Sequence, residues 1–584
     1  MTFKIGAART DITPVGQGLP FFGWGDIKQV STGVATPLYA RAVVITDESS
    51  GKNLILCCLE IGIMSEHVRI EVVKRLRETP IENFDFSFLD DELILSATHT
   101  HSAPGGFSSY VLYSLTVLGF IPHVFESYVN GAVEAIREAI QNRVAGKVRV
   151  GTSHFSDDVP VAFNRSVRAW NRNPEVKKVS RKDRHLAVDR EMVLLRFDDL
   201  AGRPLALWNW FAVHGTSMHR QQFLIHSDNK GLASSFTEDF FQKQGHRNFV
   251  AVFAQGPAGD VSPNFKRYRG LREKRGVHKD DEMSCRANAE FQFRQAKESF
   301  EKAMNSDALS GGVDSLLEFH DLSRVEIAPG MSTGPSELGM PQLYGTAEGR
   351  AATLPMIWAM TLMVRVSQLY NFVVDGVSRR PTRWPWTPHP VQGNKVTVIE
   401  SGRNLFLETS RIDQIVVPGK THPTIATLKR WAKKGLLKQR PMSPQILPIQ
   451  FSRIGSFGIA SVPSEFTTIS GLRLRKLLEQ KLKSQGITRV VVQAYANAYS
   501  GYVATPEEYS RQAYEGGCTH FGKWTLNAYL FLFEGLVARL NSGERPLVKK
   551  MKPQAPGHDF LSGIEIPAKT GWFHTRKNIQ NSQS

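Results

Sequence analysis

Cysteine is scarce, with four in 584 residues, at positions 57, 58, 285 and 518. Two are adjacent and none belongs to a CxxC pair. Neither a disulfide framework nor a structural zinc ribbon can therefore organise a chain of this size. Long apolar runs are also missing. The nearest approach, residues 351–374, is interrupted by Pro355, Arg365, Gln368 and Asn371, which argues against a conventional membrane span. The amino terminus, MTFKIGAARTDITP, has one lysine and no apolar run of signal-peptide length. The chain thus reads as cytoplasmic or peripheral to a membrane, or else as a secreted or periplasmic mature form. Acidic residues fall short of basic ones, 55 against 72, leaving a net charge of +17. That balance suits nucleic acid, anionic lipid or an acidic substrate. No nucleic-acid reader motif accompanies it, and surface Lys and Arg that only keep the protein soluble would produce the same balance.

What is present is an ordinary globular composition, 41% hydrophobic and 22% charged, which excludes disordered, collagenous and coiled-coil classes. Short apolar runs at 54–59, 93–97, 205–213, 249–254, 457–462 and 490–494 read as strands. Segments 67–78, 124–143 and 465–483 carry apolar residues at helical spacing. The alternation predicts an α/β fold of layered sheets flanked by helices. Residues 351–374 are apolar with a helical period and lead into RRPTRWPWTPHP, residues 379–390. The organisation expected is one catalytic unit over 1–545, carrying an insert at about 355–420, followed by a basic tail at 546–584.

Several predicted strands end in polar clusters. LILSATHTHSAPGG places His99 and His101 just past one strand, LWNWFAVHGTSM places His214 at the end of another, VAVFAQGPAGDVSPN supplies Asp260 and Ser262, and FGIASVPSEFTT supplies Glu465. In layered α/β proteins, sites collect where strand-end loops converge. Singly, each cluster has a plainer reading. His214 suits a hydrogen-bonded core histidine, Glu465 an N-terminal helix carboxylate, and GDVSP a tight turn. Together, two histidines and a carboxylate make a catalytic zinc set that keeps a position open.

The ordered motifs GAARTDIT, THTHSAPGG, FNRS, NWFAVHGTSM, SDNKG, GDVSPN, SEFTT and YSGYVATPEEYSRQAYEGG resemble those of the neutral/alkaline, non-lysosomal ceramidases. The resemblance implies a zinc-dependent amidase that cleaves N-acyl-sphingosine into a fatty acid and a sphingoid base, on a layered α/β catalytic domain. It places the zinc ligands on His99, His214, Glu465 and Tyr502. It places the active-site serine, which the family treats as nucleophile, on Ser262, and further pocket residues on His101, Arg165 and Tyr514. The chain departs from the family pattern at Pro257, Gly215 and Ser464, and it looks expanded between 355 and 420. It is expected to lack the C-terminal immunoglobulin-like domain of the best-known members.

Zinc would polarise the scissile carbonyl. Attack would come from Ser262, with His101 as a base supplied only by spatial proximity, or from water, with Ser262 orienting the substrate. His101 or Tyr514 would protonate the leaving amine, and Arg165 would bond substrate oxygens. The partners expected are ceramide or a related N-acyl lipid and an anionic membrane surface. The surface would be met by KRYRGLREKRGVHK, residues 266–279, and by Trp358, Trp384 and Trp386 beside Arg379, Arg380 and Arg383. The basic run also reads as a solvated loop. Competing functions are hydrolysis of another N-acyl lipid or N-acyl amino acid, and a catalytically silent lipid-surface protein.

Overall fold

The structure is a computed structural model and describes residues 3–346, 348–349, 354–374, 389–406, 410–411, 423–543 and 556–566. Twelve strands build its two principal sheets. They are β1 (Phe3–Asp11), β2 (Tyr39–Asp47), β3 (Asn53–Leu59), β4 (Leu93–Ala97), β5 (Val144–His154), β6 (Glu191–Asp199), β7 (Pro204–Phe211), β8 (Val250–Gln255), β9 (Val313–Asp321), β10 (Ile446–Ile454), β11 (Phe457–Ser461) and β12 (Arg489–Gln493). The larger sheet runs β8-β7-β6-β5-β1-β2-β3-β4, and the smaller runs β9-β10-β11-β12. Most neighbours are antiparallel. Three pairs are parallel, β3 with β4, β7 with β8, and β11 with β12.

Seven longer helices matter here: α1 (Glu66–Glu78), α2 (Pro122–Gln141), α3 (Asp228–Lys243), α4 (Asp281–Ala303), α5 (Leu354–Val374), α6 (Thr468–Leu482) and α7 (Thr525–Ser542). The core follows from alternation along the strands. Phe3, Ile5, Val43, Ile45, Leu54 and Leu56 face Val313, Ile454, Phe457 and Ile459 across an inter-sheet layer. The opposite faces pack on helices, with Ile55 and Leu59 against α1 and α2 and Leu207 and Phe253 against α3 and α4. The result is a helix–sheet–sheet–helix sandwich, the α/β layering predicted. Because β3 and β4 are covered on both faces, every residue of each is buried, and they read as mostly apolar runs rather than alternating ones. Adjacent Cys57 and Cys58 point to opposite faces, one into the helical layer and one between the sheets. Both are free.

The larger sheet curls so that its edges meet at one end. Gln255, the last residue of edge strand β8, donates to Thr98 O just past edge strand β4 at 3.1 Å and to Val213 O just past β7 at 2.5 Å. That curl brings distant strand ends together.

The expected helix at 465–483 begins later, at Thr468. Glu465 and Phe466 instead pair in parallel with Tyr502 and Val503, and Thr467 caps the helix by accepting from Ser470 N. Glu465 is therefore a strand residue, not a helix carboxylate. Among the described residues no helix is long and apolar enough to cross a membrane. Of the tail, residues 556–566 are described, and they bury Phe560 and Ile564. Trp384, Trp386, Arg379, Arg380 and Arg383 lie outside the described residues.

Candidate metal centre and active site

His99 and His214 sit just beyond strands of the parallel pairs, and Ser262, Glu465 and Tyr502 lie on short two-residue pairings. His99 follows β4 by two residues and takes a left-handed backbone, φ 69°. His214 follows β7 by three. The two loops cross in close contact, where Thr100 bridges Gly215 and His101 N donates to Gly215 O at 3.1 Å. A Cβ at Gly215 would stand 2.3 Å from His99 O, so this crossing requires glycine.

The two imidazoles are oriented by backbone carbonyls. His99 Nδ1 meets Gly62 O at 2.5 Å. His214 Nδ1 lies 2.7 Å from Ala258 O and 3.0 Å from Val261 O. A carbonyl accepts only, so each Nδ1 carries the proton and each Nε2 presents a lone pair inward. Those lone pairs face Glu465, whose Oε2 lies 3.6 Å from His99 Nε2 and 3.2 Å from His214 Nε2. His214 Nε2 is buried and makes no hydrogen bond among the described residues. His101 completes the group, with its Nε2 3.1 Å from His99 Nε2. The ligating atoms of His99, His101 and His214 all lie within 4.8 Å of one another. Burial drives the His99 imidazole down to about 4, against the pull of Glu465, and holds His101 well below its ordinary value, with His99 and His214 adding to it. For Glu465, burial alone would favour the acid, but its surroundings, the Tyr499 hydroxyl bond among them, hold it well below the ordinary carboxylate range. Imidazoles pinned through Nδ1 with Nε2 turned inward, a carboxylate and an orphaned buried nitrogen are the donor set a divalent cation needs. The residues fit a metal.

A second cluster adjoins the first through the Glu465–Tyr502 pairing. Arg165 Nη2 donates to Tyr502 Oη at 3.0 Å and to Gly259 O at 2.7 Å, and its Nε donates to Glu515 at 2.9 Å. Burial opposes the guanidinium charge, but Tyr502 and Glu515 outweigh it. Burial and Glu465 raise the Tyr502 phenol. The Tyr514 ring stands edge-on to Tyr502, 5.5 Å between centroids, and 5.3 Å from the Arg165 guanidinium carbon.

Ser262 is buried on a two-residue strand paired with Phe163 and Asn164. Its Oγ accepts from Asn264 N at 2.8 Å, and among the described residues no imidazole bonds it. Asp260 beside it joins three motifs, accepting from Asn164 Nδ2 at 2.6 Å and from Thr468 N and Oγ1, both at 2.8 Å.

The structure thus brings His99, His101, His214 and Glu465 to one point and sets Arg165, Tyr502 and Tyr514 beside it. Several contributors escaped the sequence reading. Tyr495 and Tyr499 both donate to Glu465, Trp24 packs against His101 with 5.2 Å between centroids, and Glu515 orients Arg165. Only Tyr499 and Glu515 lay inside a recognisable motif.

The same architecture recurs in known proteins. The model of the family described as neutral/alkaline non-lysosomal ceramidase, N-terminal, matches residues 3–408 and 428–531. The neutral ceramidase of Pseudomonas aeruginosa is 32% identical over 547 residues, covering 92% of this chain and 72% of that protein. The crystal structure of the Pseudomonas aeruginosa enzyme superposes with a TM-score of 0.73 at 27% identity, covering 95% of this chain and 77% of that one. A ceramidase structure described as complexed with C2 gives 0.76 at 28% identity, covering 95% and 78%. The chain belongs to the neutral/alkaline non-lysosomal ceramidase family.

Proposed function

We propose that this protein is a zinc-dependent amide hydrolase that cleaves N-acyl-sphingosine into a fatty acid and a sphingoid base. The observation that carries the proposal is the convergence of His99, His214 and Glu465 from strand ends more than a hundred residues apart, each imidazole pinned by a carbonyl so that its free nitrogen points inward. His99, His214, Glu465 and Tyr502 would hold the ion, and zinc when bound supplies Lewis-acid polarisation of the acyl carbonyl.

The chain's own residues do the rest. The elements of water add across the C–N bond. Oxygen joins the acyl carbon, and a proton reaches the departing nitrogen. His101 suits the proton transfer, because its Nδ1 is buried and unpartnered and burial keeps the imidazole neutral and able to accept. Arg165, held by Glu515 and Gly259, and Tyr514 beside it offer donors to substrate oxygens. Ser262 has Asn264 as its partner rather than a base, which favours an orienting role over nucleophilic attack.

A two-chain amide resides in a bilayer, and we propose that the protein meets an anionic one. Helix α5 exposes Leu354, Trp358, Leu362, Val366 and Leu369 along one stripe, with Trp358 77% accessible, while Ile357 and Val364 are buried. Exposed Lys266, Arg267, Arg269, Arg272 and Lys279 add charge complementary to anionic headgroups.

The test is product analysis on a panel of N-acyl sphingoid bases, other N-acyl lipids and N-acyl amino acids, before and after chelation. The reading predicts release of fatty acid and sphingoid base that is lost with chelator and restored by zinc. Full activity after chelation, or cleavage confined to N-acyl amino acids, would overturn it.

A further inference from the structure

We propose that Tyr495 and Tyr499 are positioning residues for metal binding, a pair of phenol donors that lock the Glu465 carboxylate in its ligating orientation. The proposal rests on the reading of His99, His214 and Glu465 as metal ligands.

Tyr499 Oη donates to Glu465 Oε1 at 2.5 Å, and Tyr495 Oη donates to Oε2 at 3.1 Å. The two bonds divide the carboxylate's work. Oε1 is taken by Tyr499. Oε2 receives Tyr495 and still has a lone pair to turn toward His99 and His214. A carboxylate so held is set to ligate through one oxygen, without the rotational freedom that an unsupported side chain must lose on binding. The Tyr495 ring also lies over His99, with centroids 4.3 Å apart and planes tilted by 30°. One residue therefore touches two of the proposed ligands.

The segment carrying these phenols is built to hold them. Tyr495 and Asn497 both have left-handed backbones, φ 55° and 64°, which non-glycine residues adopt only where their surroundings enforce it. Here the enforcement is visible. Ala97 N donates to Tyr495 O and Asn497 N to Leu95 O. Asn497 Oδ1 accepts from Leu95 N and Arg69 Nε, and its Nδ2 donates to Gln450 Oε1 at 2.7 Å. The loop is thereby fastened to β4, the strand that delivers His99.

The experiment measures zinc affinity of the full-length metal-free protein by competition with a chromophoric chelator, with thermal melting of the metal-free form recorded alongside. Tyr499→Phe and Tyr495→Phe remove one hydroxyl each and keep the rings. Tyr113→Phe is the control, because its ring stands edge-on to Tyr499 at 5.1 Å while its hydroxyl has no hydrogen-bond partner among the described residues. The expected result is zinc affinity about 10- to 100-fold weaker in Tyr499→Phe, weaker by a smaller factor in Tyr495→Phe, and unchanged in the control. Wild-type binding with unaltered affinity in both variants would overturn the proposal alone. If Tyr499→Phe does not fold, Tyr495→Phe decides by the same criterion. Wild type that binds no zinc would overturn the metal reading and this proposal with it.

Discussion

Replacing Asp260 tests whether one carboxylate fastens three segments of the site. Its Oδ1 accepts from Thr468 N and Thr468 Oγ1 and its Oδ2 from Asn164 Nδ2, in a position only 2% exposed. Asp260→Ala strands three buried donors. Each unsatisfied donor costs about 1–3 kcal/mol. The Thr468 hydroxyl can rotate toward another partner, but the backbone N–H at the start of α6 cannot, so the two donors left sum to about 2–6 kcal/mol. That is a large share of the roughly 5–15 kcal/mol by which a domain is stable. Asp260→Asn is milder. Its remaining oxygen keeps both Thr468 bonds, and its new NH2 meets the Asn164 NH2. Asn164 cannot flip to accept, because its amide also donates to Ala187 O and its oxygen accepts from Ser166 N. One lost bond predicts about 1–3 kcal/mol. Urea unfolding followed by fluorescence measures both, and the zinc affinity of the folded fraction should fall in the same order. Asp260→Ala within about 0.5 kcal/mol of wild type, or Asn as damaging as Ala, would refute the reasoning.

Other perturbations follow from the same geometry. Gly215→Ala should destabilise the protein and weaken metal binding together, because its Cβ would stand 2.3 Å from His99 O; unchanged melting temperature and zinc affinity would contradict the crossing described. Burial lowers the Lys230 ammonium to about 7, against about 10.4 in an unfolded chain. Between those values the unfolded chain binds the extra proton, so stability should rise with pH from 7 toward 10. Melting temperatures of Lys230→Met across that range should rise less steeply than those of wild type, and parallel curves would sink the argument. Trp358→Ser with Leu362→Ser should reduce turnover on anionic vesicles far more than on a short-chain soluble amide, and equal loss on both would remove α5 from lipid docking.

Much of the layered fold was legible because both faces of strands such as β3 and β4 are covered. Residues 93–97 read as a strand from a short apolar run, and the structure gives the same bounds. The helix expected from Glu465 starts three residues later because pairing with Tyr502 and Val503 overrides local helical spacing, and such long-range pairing leaves no mark in a short window. The curl that joins the ends of β4, β7 and β8 is equally silent, since contacts such as those of Gln255 with Thr98 and Val213 and of His101 with Gly215 link residues far apart in the chain. His99, His101, His214 and Glu465 stood out as unusual chemistry after apolar strands. Tyr495 did not, because a tyrosine after a strand looks like any core aromatic, and only its left-handed backbone and its distance to Glu465 reveal the role. Trp24 lay in a glycine-rich, aromatic stretch, LPFFGWG, that carried no periodic signal.

The central claim is that a divalent ion is gripped by His99, His214, Glu465 and Tyr502. Diffraction from crystals of the purified protein above and below the zinc absorption edge tests it most directly. The account predicts one anomalous peak within bonding distance of those four side chains. An empty position there in fully active protein, or a peak bound only by other residues, would contradict it.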